Sequence, residues 1–144
     1  MPVLRDTRFD EKLVQELKDI ADSLFCDEAQ DFVVASGMSC DGYFEAQGRL
    51  TSCIVEHTPE DREAWLHKIH DDLNVRSMEM EGHVVAAICR HVGLPAAMLS
   101  VTQINRLEGD ETSLVPVTDA ERRQWMRNAL AVAMTLVRRR AEYA

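Results

Sequence analysis

A short acidic segment, Glu79-Met80-Glu81, places two carboxylates two residues apart in the middle of the chain. In an extended backbone, side chains two positions apart project to the same face, so both carboxylates would meet one ligand. Carboxylates accept hydrogen bonds only, and a pair of them suits either the vicinal hydroxyls of a sugar or a metal ion. The alternative, which spacing alone favours, leaves one carboxylate in solvent while the other caps the next helix.

A second polar segment, Gln47-Gly48-Arg49, lies upstream. A glutamine amide both donates and accepts, so Gln47 could recognise the N–H and adjacent carbonyl of a cyclic imide. Arg49 could donate to a carbonyl oxygen and stabilise negative charge there. Gly48 permits an unusual backbone conformation that would let both side chains reach one ligand, and Tyr43 or Phe44 could supply a stacking face. Taken alone, the motif is more typical of an exposed turn than of a binding site.

Hydrophobic patterning and capping residues predict the elements that position these segments. The predicted helices span 10–25, 58–73, 81–92 and 118–140, and the predicted strands span 32–36, 50–55, 75–80 and 96–104. This alternation indicates an α/β fold with a largely buried sheet covered by helices. Ligands of open α/β sheets bind at strand ends, where the acidic segment and the polar loops 39–48 and 107–116 fall.

Composition limits the classes of partner. The chain has 144 residues, 46% of them hydrophobic and 28% charged, which predicts a single globular domain over 1–144. Its formal net charge of −9 argues against nucleic acid or an anionic membrane as the main partner, although local arginines could still hold a small anion. The early charged residues and the lack of a long apolar stretch predict a cytoplasmic protein without a signal peptide or membrane span.

The cysteines and histidines suggest no metal centre. The four cysteines form no Cys-x-x-Cys pair and are interpreted as reduced thiols rather than as a disulfide framework or a zinc site; they are Cys26, Cys40, Cys53 and Cys89. His67 and His70, followed by Asp71 and Asp72, imitate a metal-binding helix face, but no third ligand has suitable spacing. A solvated helix face is favoured, and a metal-dependent hydrolase using His67, His70 and Asp72 stays a less favoured alternative.

Four segments, in order and almost without gaps, resemble the carboxyl-terminal half of vertebrate-type uridine phosphorylases of the nucleoside phosphorylase superfamily. They are Lys12–Leu17 (KLVQEL), Tyr43–Leu50 (YFEAQGRL), Val75–Glu81 (VRSMEME) and Asn105–Asp110 (NRLEGD). The resemblance runs from about Arg5 to about Arg140. It implies a three-layer α/β fold with a mixed sheet flanked by helices, of which the amino-terminal part is missing.

The resemblance also assigns a nucleobase pocket. It implies that Gln47 hydrogen-bonds the imide edge of uracil and that Arg49 donates to a uracil carbonyl. Tyr43 stands where the family has a phenylalanine that packs on the nucleoside. Ile104 and Arg106 stand where the family lines the uracil pocket from a closing loop.

Ribose binding and catalysis are implied in the same way. Met80 and Glu81 would hold the ribose, with Glu79 in support. The reaction would be the reversible phosphorolysis of uridine to uracil and ribose 1-phosphate, as in pyrimidine salvage. Arg49 would stabilise the negative charge on departing uracil and Glu81 would orient the cationic sugar, so both are the predicted catalytic residues. No metal or organic cofactor is implied; phosphate is the co-substrate.

The sequence departs from the family in three respects. Gly82 replaces a serine, Ala46 replaces a glycine, and no Gly-x-Gly turn is found for phosphate. The chain thus carries a nucleobase and ribose half-site without a recognisable phosphate half-site. It could be a fragment, a half that pairs with a separate amino-terminal half, or an inactive nucleoside-binding module. We expect it to form a homodimer or to pair with the missing half, because an incomplete sheet exposes a strand edge.

Overall fold

A computed structural model describes residues 4–26, 32–110 and 117–142. Its elements are α1 (Glu11–Leu24), β1 (Ser36–Ser39), α2 (Pro59–Leu73), β2 (Val75–Glu79), α3 (Gly82–His91) and α4 (Asp119–Glu142), with a 3-10 turn at Glu45–Gln47. Residue contacts divide the chain into two compact units. We call Met1–Val34, Val84–Val101 and Thr118–Ala144 the helical unit, and Ala35–His83 and Thr102–Val117 the sheet unit. The single domain over 1–144 stays a prediction.

The helices begin where the capping residues predict. Asp10 accepts a hydrogen bond from the backbone N–H of Leu13 at the start of α1 (2.8 Å). Thr58 and Asp61 form a reciprocal capping box at the start of α2, with proline in the first turn. The end of α2 is marked by Asn74 in the left-handed region (φ 52°), whose N–H bonds back to His70. All four predicted helices are confirmed to within a few residues.

The helical unit is built on the packing of α1 against α4. Its buried centre joins Leu17, Ile20 and Ala21 of α1 to Val132 of α4. At the surface of the same contact, Arg140 donates to Glu16 over 2.7 Å. None of the helices within the described ranges is both long and apolar enough to cross a membrane.

In the sheet unit, β1 and β2 form a two-stranded parallel sheet, connected through α2. The register pairs Ser36 with Val75 and Ser39 with Glu79, so the carboxyl ends of both strands lie side by side. A parallel pair with a helical crossover confirms the α/β prediction and the predicted strand at 75–80. The acidic segment begins at this shared strand end.

The other strand predictions differ from the structure. The strand predicted at 32–36 lies at Ser36–Ser39, and Phe32 instead packs against the helical core. Residues 50–54 form turns and bends, and 96–104 form no strand in the described chain. Apolar patterning reports burial, whereas a strand also requires a neighbouring strand for its hydrogen bonds. Of the predicted loop 107–116, residues 111–116 lie outside the described residues.

Candidate functional site

A tight turn presents the Gln47-Gly48-Arg49 motif. The 3-10 turn ends at Gly48, whose φ of 61° is left-handed and whose N–H donates to the carbonyl of Glu45. An ideal Cβ at Gly48 would lie 3.2 Å from Cζ3 of Trp65. Glycine is therefore needed twice here, for the backbone conformation and for the close approach of the indole ring. This confirms the unusual conformation predicted for Gly48.

Gln47 and Arg49 are both only 4% exposed, and they meet a third predicted residue. Nη2 of Arg49 donates to Oε1 of Gln47 over 3.3 Å, and Nη1 of Arg106 approaches the same oxygen at 3.5 Å. Nη2 of Arg106 also donates to the backbone carbonyl of Gln47 at 2.9 Å. The side-chain carbonyl of Gln47 therefore lies between two cationic groups that are distant in sequence.

Tyr43 belongs to the same group. The guanidinium carbon of Arg49 lies 3.8 Å from the centre of the Tyr43 ring, in cation–π geometry. Phe44 meets Tyr43 edge to face, with ring centroids 5.1 Å apart. Both aromatic side chains remain about half exposed. Arg49 covers part of this aromatic surface, and a stacking role for Tyr43 or Phe44 stays a prediction.

A residue without an assigned role, Asp110, lies at the centre of these contacts. It is buried, and its carboxylate accepts from the backbone N–H of Leu50 (2.7 Å), from Arg62 (3.1 Å) and from Arg106. Its backbone carbonyl accepts from Nη1 of Arg49 (2.5 Å). Burial lowers the pKa of Arg106, and the negative charge of Asp110 opposes that shift. The sequence signal for Asp110 is its position at the end of Asn105–Asp110, one of the four segments that resemble the family.

The acidic segment forms a helix cap. The Glu79 carboxylate accepts hydrogen bonds from the backbone N–H groups of Glu81 (2.7 Å) and Gly82 (2.5 Å) at the start of α3. Burial disfavours the charged form of Glu79, but these two hydrogen bonds, with smaller contributions from Ser39 and His83, outweigh it and lower its pKa. Glu81 is exposed and has a 3.3 Å contact with the N–H of Met80. One carboxylate therefore caps the helix and the other faces solvent, which leaves Glu81 available to a ligand.

All eight predicted site residues lie in the sheet unit. Hydrogen bonds and ring contacts link four of them into one group, Tyr43, Gln47, Arg49 and Arg106. Glu79, half-buried Met80 and Glu81 form a second group at the end of β2. Ile104 is half-buried, two residues before Arg106.

The parallel register also assembles a pair that the sequence does not reveal. Oγ of Ser39 lies 2.6 Å from Nδ1 of His83 and accepts from the His83 backbone N–H at 3.3 Å. Nε2 of His83 lies 3.9 Å from Asp41. Ser39 ends β1 opposite Glu79, so this pair lies beside the acidic segment. The two residues are 44 positions apart, and only the strand pairing could have indicated their contact.

The His67 and His70 face shows isolated contacts. His67 lies 3.8 Å from Glu63, and His70 lies 2.8 Å from Asp71, all four side chains being exposed. Among the residues that the structure describes, no three histidine, cysteine or acidic side chains are grouped to hold a metal. All four cysteines are free thiols. Burial and the nearby Glu79 raise the pKa of the Cys40 thiol, which disfavours a nucleophilic role for it.

Comparison with known families decides the relationship. A sequence model described as the phosphorylase superfamily matches residues 2–139. The chain belongs to the phosphorylase superfamily. Its similarity to uridine phosphorylase 1 of Mus musculus is 37% identity over 109 residues, covering 76% of the chain and 34% of that protein. A protein named inactive uridine phosphorylase B, from Schistosoma mansoni, is 35% identical over 78% of the chain and 37% of its own length.

The fold of this superfamily member is also that of a solved relative. A uridine phosphorylase from Schistosoma mansoni, crystallised with thymidine, matches with a TM-score of 0.81 and 31% identity. The match covers 97% of this chain and 46% of the solved one. The nucleoside phosphorylase fold predicted from the sequence is thereby confirmed. The chain spans about a third of the length of the two named relatives and about half of the solved structure.

Proposed function

We propose that this chain forms the uracil- and ribose-binding part of a uridine phosphorylase, an enzyme that converts uridine and phosphate to uracil and ribose 1-phosphate. The observation that carries the proposal is the convergence of Arg49 and Arg106 on the side-chain carbonyl of Gln47. Superfamily membership and the similar uridine phosphorylases support it. The solved relative with thymidine bound supports a pyrimidine nucleoside as the ligand class.

Nucleobase recognition would proceed by exchange of acceptors. A uracil carbonyl would replace Oε1 of Gln47 as the acceptor of Arg49, and the freed glutamine amide would pair with the imide edge. The base would lie near the Tyr43 ring, with Arg106 and Ile104 lining its pocket. As the glycosidic bond breaks, negative charge builds up on uracil, and the preorganised Arg49 would stabilise it.

Ribose binding would fall to the end of β2. Glu81 is exposed and would accept hydrogen bonds from the ribose hydroxyls, with Met80 packing on the sugar. Glu79, held by its two backbone hydrogen bonds, would fix the conformation of the segment. A carboxylate beside the ribose would also favour the oxocarbenium-like sugar of the transition state. Phosphate would act as co-substrate, and no organic cofactor or metal enters the proposal.

A second candidate is a nucleoside-binding module without turnover. A specific observation favours it, since one of the similar proteins is named an inactive uridine phosphorylase. The sequence also offers no glycine-rich turn for phosphate. Base and ribose groups alone would support binding but not phosphorolysis.

Uracil release from uridine separates the two candidates. The purified chain would be incubated with uridine, with and without phosphate, and uracil would be quantified by chromatography. Phosphate-dependent release that is lost in Arg49→Ala and kept in Arg76→Ala supports the enzyme, since Arg76 is an exposed arginine on β2. Calorimetric binding of uridine without release supports the module. If the chain neither binds uridine nor releases uracil, both candidates are refuted.

A further inference from the structure

We propose that Asp110 is a positioning residue for nucleobase recognition, because it holds Arg49 and Arg106 on the two sides of Gln47. The inference rests on the proposed function for the identity of the ligand. It adds a residue to which the family resemblance gives no role.

The two oxygens of the Asp110 carboxylate accept hydrogen bonds from different donors. Oδ2 accepts the N–H of Leu50 at 2.7 Å, which fixes the backbone directly after Arg49. Oδ1 accepts from Arg106 at 3.1 to 3.2 Å and from Arg62 of α2 at 3.1 Å. The backbone carbonyl of Asp110 receives Nη1 of Arg49 at 2.5 Å. One residue therefore ties together the turn at 47–50, the segment at 105–110 and α2.

Electrostatics explain why a carboxylate is required. Arg49 is 4% exposed, and the side chains of Arg62 and Arg106 are 11% and 12% exposed. Three cations so close together in a partly desolvated site repel one another. The carboxylate of Asp110 supplies the negative charge that Arg62 and Arg106 contact, and its backbone carbonyl accepts from Arg49. Without it, Arg49 and Arg106 would move apart instead of sharing the Gln47 carbonyl.

Arg49 depends strongly on these contacts. Its Nε atom is buried without a hydrogen-bond partner within the described part of the chain, and so is Nε of Arg62. The position of the Arg49 guanidinium is therefore set by its two Nη groups and by the Tyr43 ring. Replacing a whole buried ion pair by apolar groups is often neutral for stability, whereas removing one partner leaves the other charge buried without compensation. A change of Asp110 is therefore expected to release Arg106 from its position in addition to any effect on stability.

The first test needs no ligand. Asp110→Asn is nearly isosteric and still offers an oxygen to Leu50, while Asp110→Glu keeps the charge but displaces it. Nuclear magnetic resonance of the guanidinium groups in the full chain would report their rotation. We expect restricted rotation for Arg49 and Arg106 in the parent and averaged signals in both variants, with the exposed Arg76 unchanged. Unchanged Arg49 and Arg106 signals in a folded variant would overturn the inference.

The second test is a double-mutant cycle with uracil as the probe. We expect Asp110→Asn to weaken uracil binding about tenfold, the scale of one charged hydrogen bond. In the Arg106→Ala background the same change should cost clearly less, because the carboxylate contacts Arg106 directly and the two residues would act as a unit. Equal effects in both backgrounds would show a merely structural role. If the parent binds no uracil, the proposed function fails, and the ligand-free test still decides whether Asp110 positions the arginines.

Discussion

The carboxylate of Glu79 occupies the place that a side chain on Gly82 would need. It accepts the Gly82 N–H at 2.5 Å, and an ideal Cβ on residue 82 would lie 2.8 Å from its Oε1. Gly82→Ala is therefore expected to displace the carboxylate and to break its two backbone hydrogen bonds. We predict a decrease of about 1 kcal/mol in the free energy of unfolding, the usual scale for a lost helix cap, measured by urea denaturation.

Gly42→Ala is the matched control for Gly82→Ala. An ideal Cβ on Gly42 would lie 3.7 Å from the Cβ of Ala46, an ordinary contact distance. This change should leave stability nearly unaltered, because it requires no displacement. If both variants lost the same free energy, the clash with Glu79 would not be the cause.

The contribution of the Glu79 carboxylate to the stability of the chain should depend on pH. Hydrogen bonds lower the pKa of Glu79 in the folded chain, despite the opposing effect of burial. A carboxyl with a depressed folded pKa contributes stability above its unfolded pKa, about 4.3 for Glu, and loses it as the pH falls further. Glu79→Gln should thus be less stable than the parent at pH 7, with the difference shrinking between about pH 5 and pH 3. Denaturation midpoints of both chains, measured across that range, check this; a pH-independent difference would contradict it.

Gly48→Ala tests the turn that presents the nucleobase group. The φ of 61° costs an L-residue about 1 to 2 kcal/mol, and the new methyl group would also press on Trp65. We expect a fall of at least about 1 kcal/mol in the free energy of unfolding, measured by denaturation against Gly42→Ala. A smaller loss than in the control would show that the turn relaxes without cost.

Local chemistry made part of this structure predictable. Helix starts at Asp10 and Thr58 depend on nearest neighbours and were predicted correctly. The prediction of a strand at 96–104 was wrong. A strand depends on a pairing partner, and the hydrophobic pattern of 96–104 carries no information about that partner. The contacts of Asp110 with Leu50 and of Ser39 with His83 join residues 60 and 44 positions apart. Neither contact could be predicted from the spacing of these residues along the sequence.

Arg49→Ala tests the nucleobase assignment. The change removes a cationic donor, so uracil binding should weaken by roughly 1.5–3 kcal/mol, the scale of a charged hydrogen bond. Isothermal titration with uracil measures the loss. Arg76→Ala is the control, since Arg76 is an exposed arginine that donates to its near neighbour Asn74. Unchanged affinity in Arg49→Ala would remove Arg49 from the base site.

Glu81→Gln separates ribose binding from base binding. The substitution keeps the size of the side chain but removes the charge that would attract the ribose hydroxyls. We therefore expect uridine to bind several-fold more weakly while uracil, which has no ribose, binds almost as in the parent. The ratio of the two dissociation constants is the measurement, and Glu63→Gln, at an exposed position on α2, is the control. Equal losses for uridine and uracil would mean that Glu81 supports the fold of the pocket and does not contact the sugar.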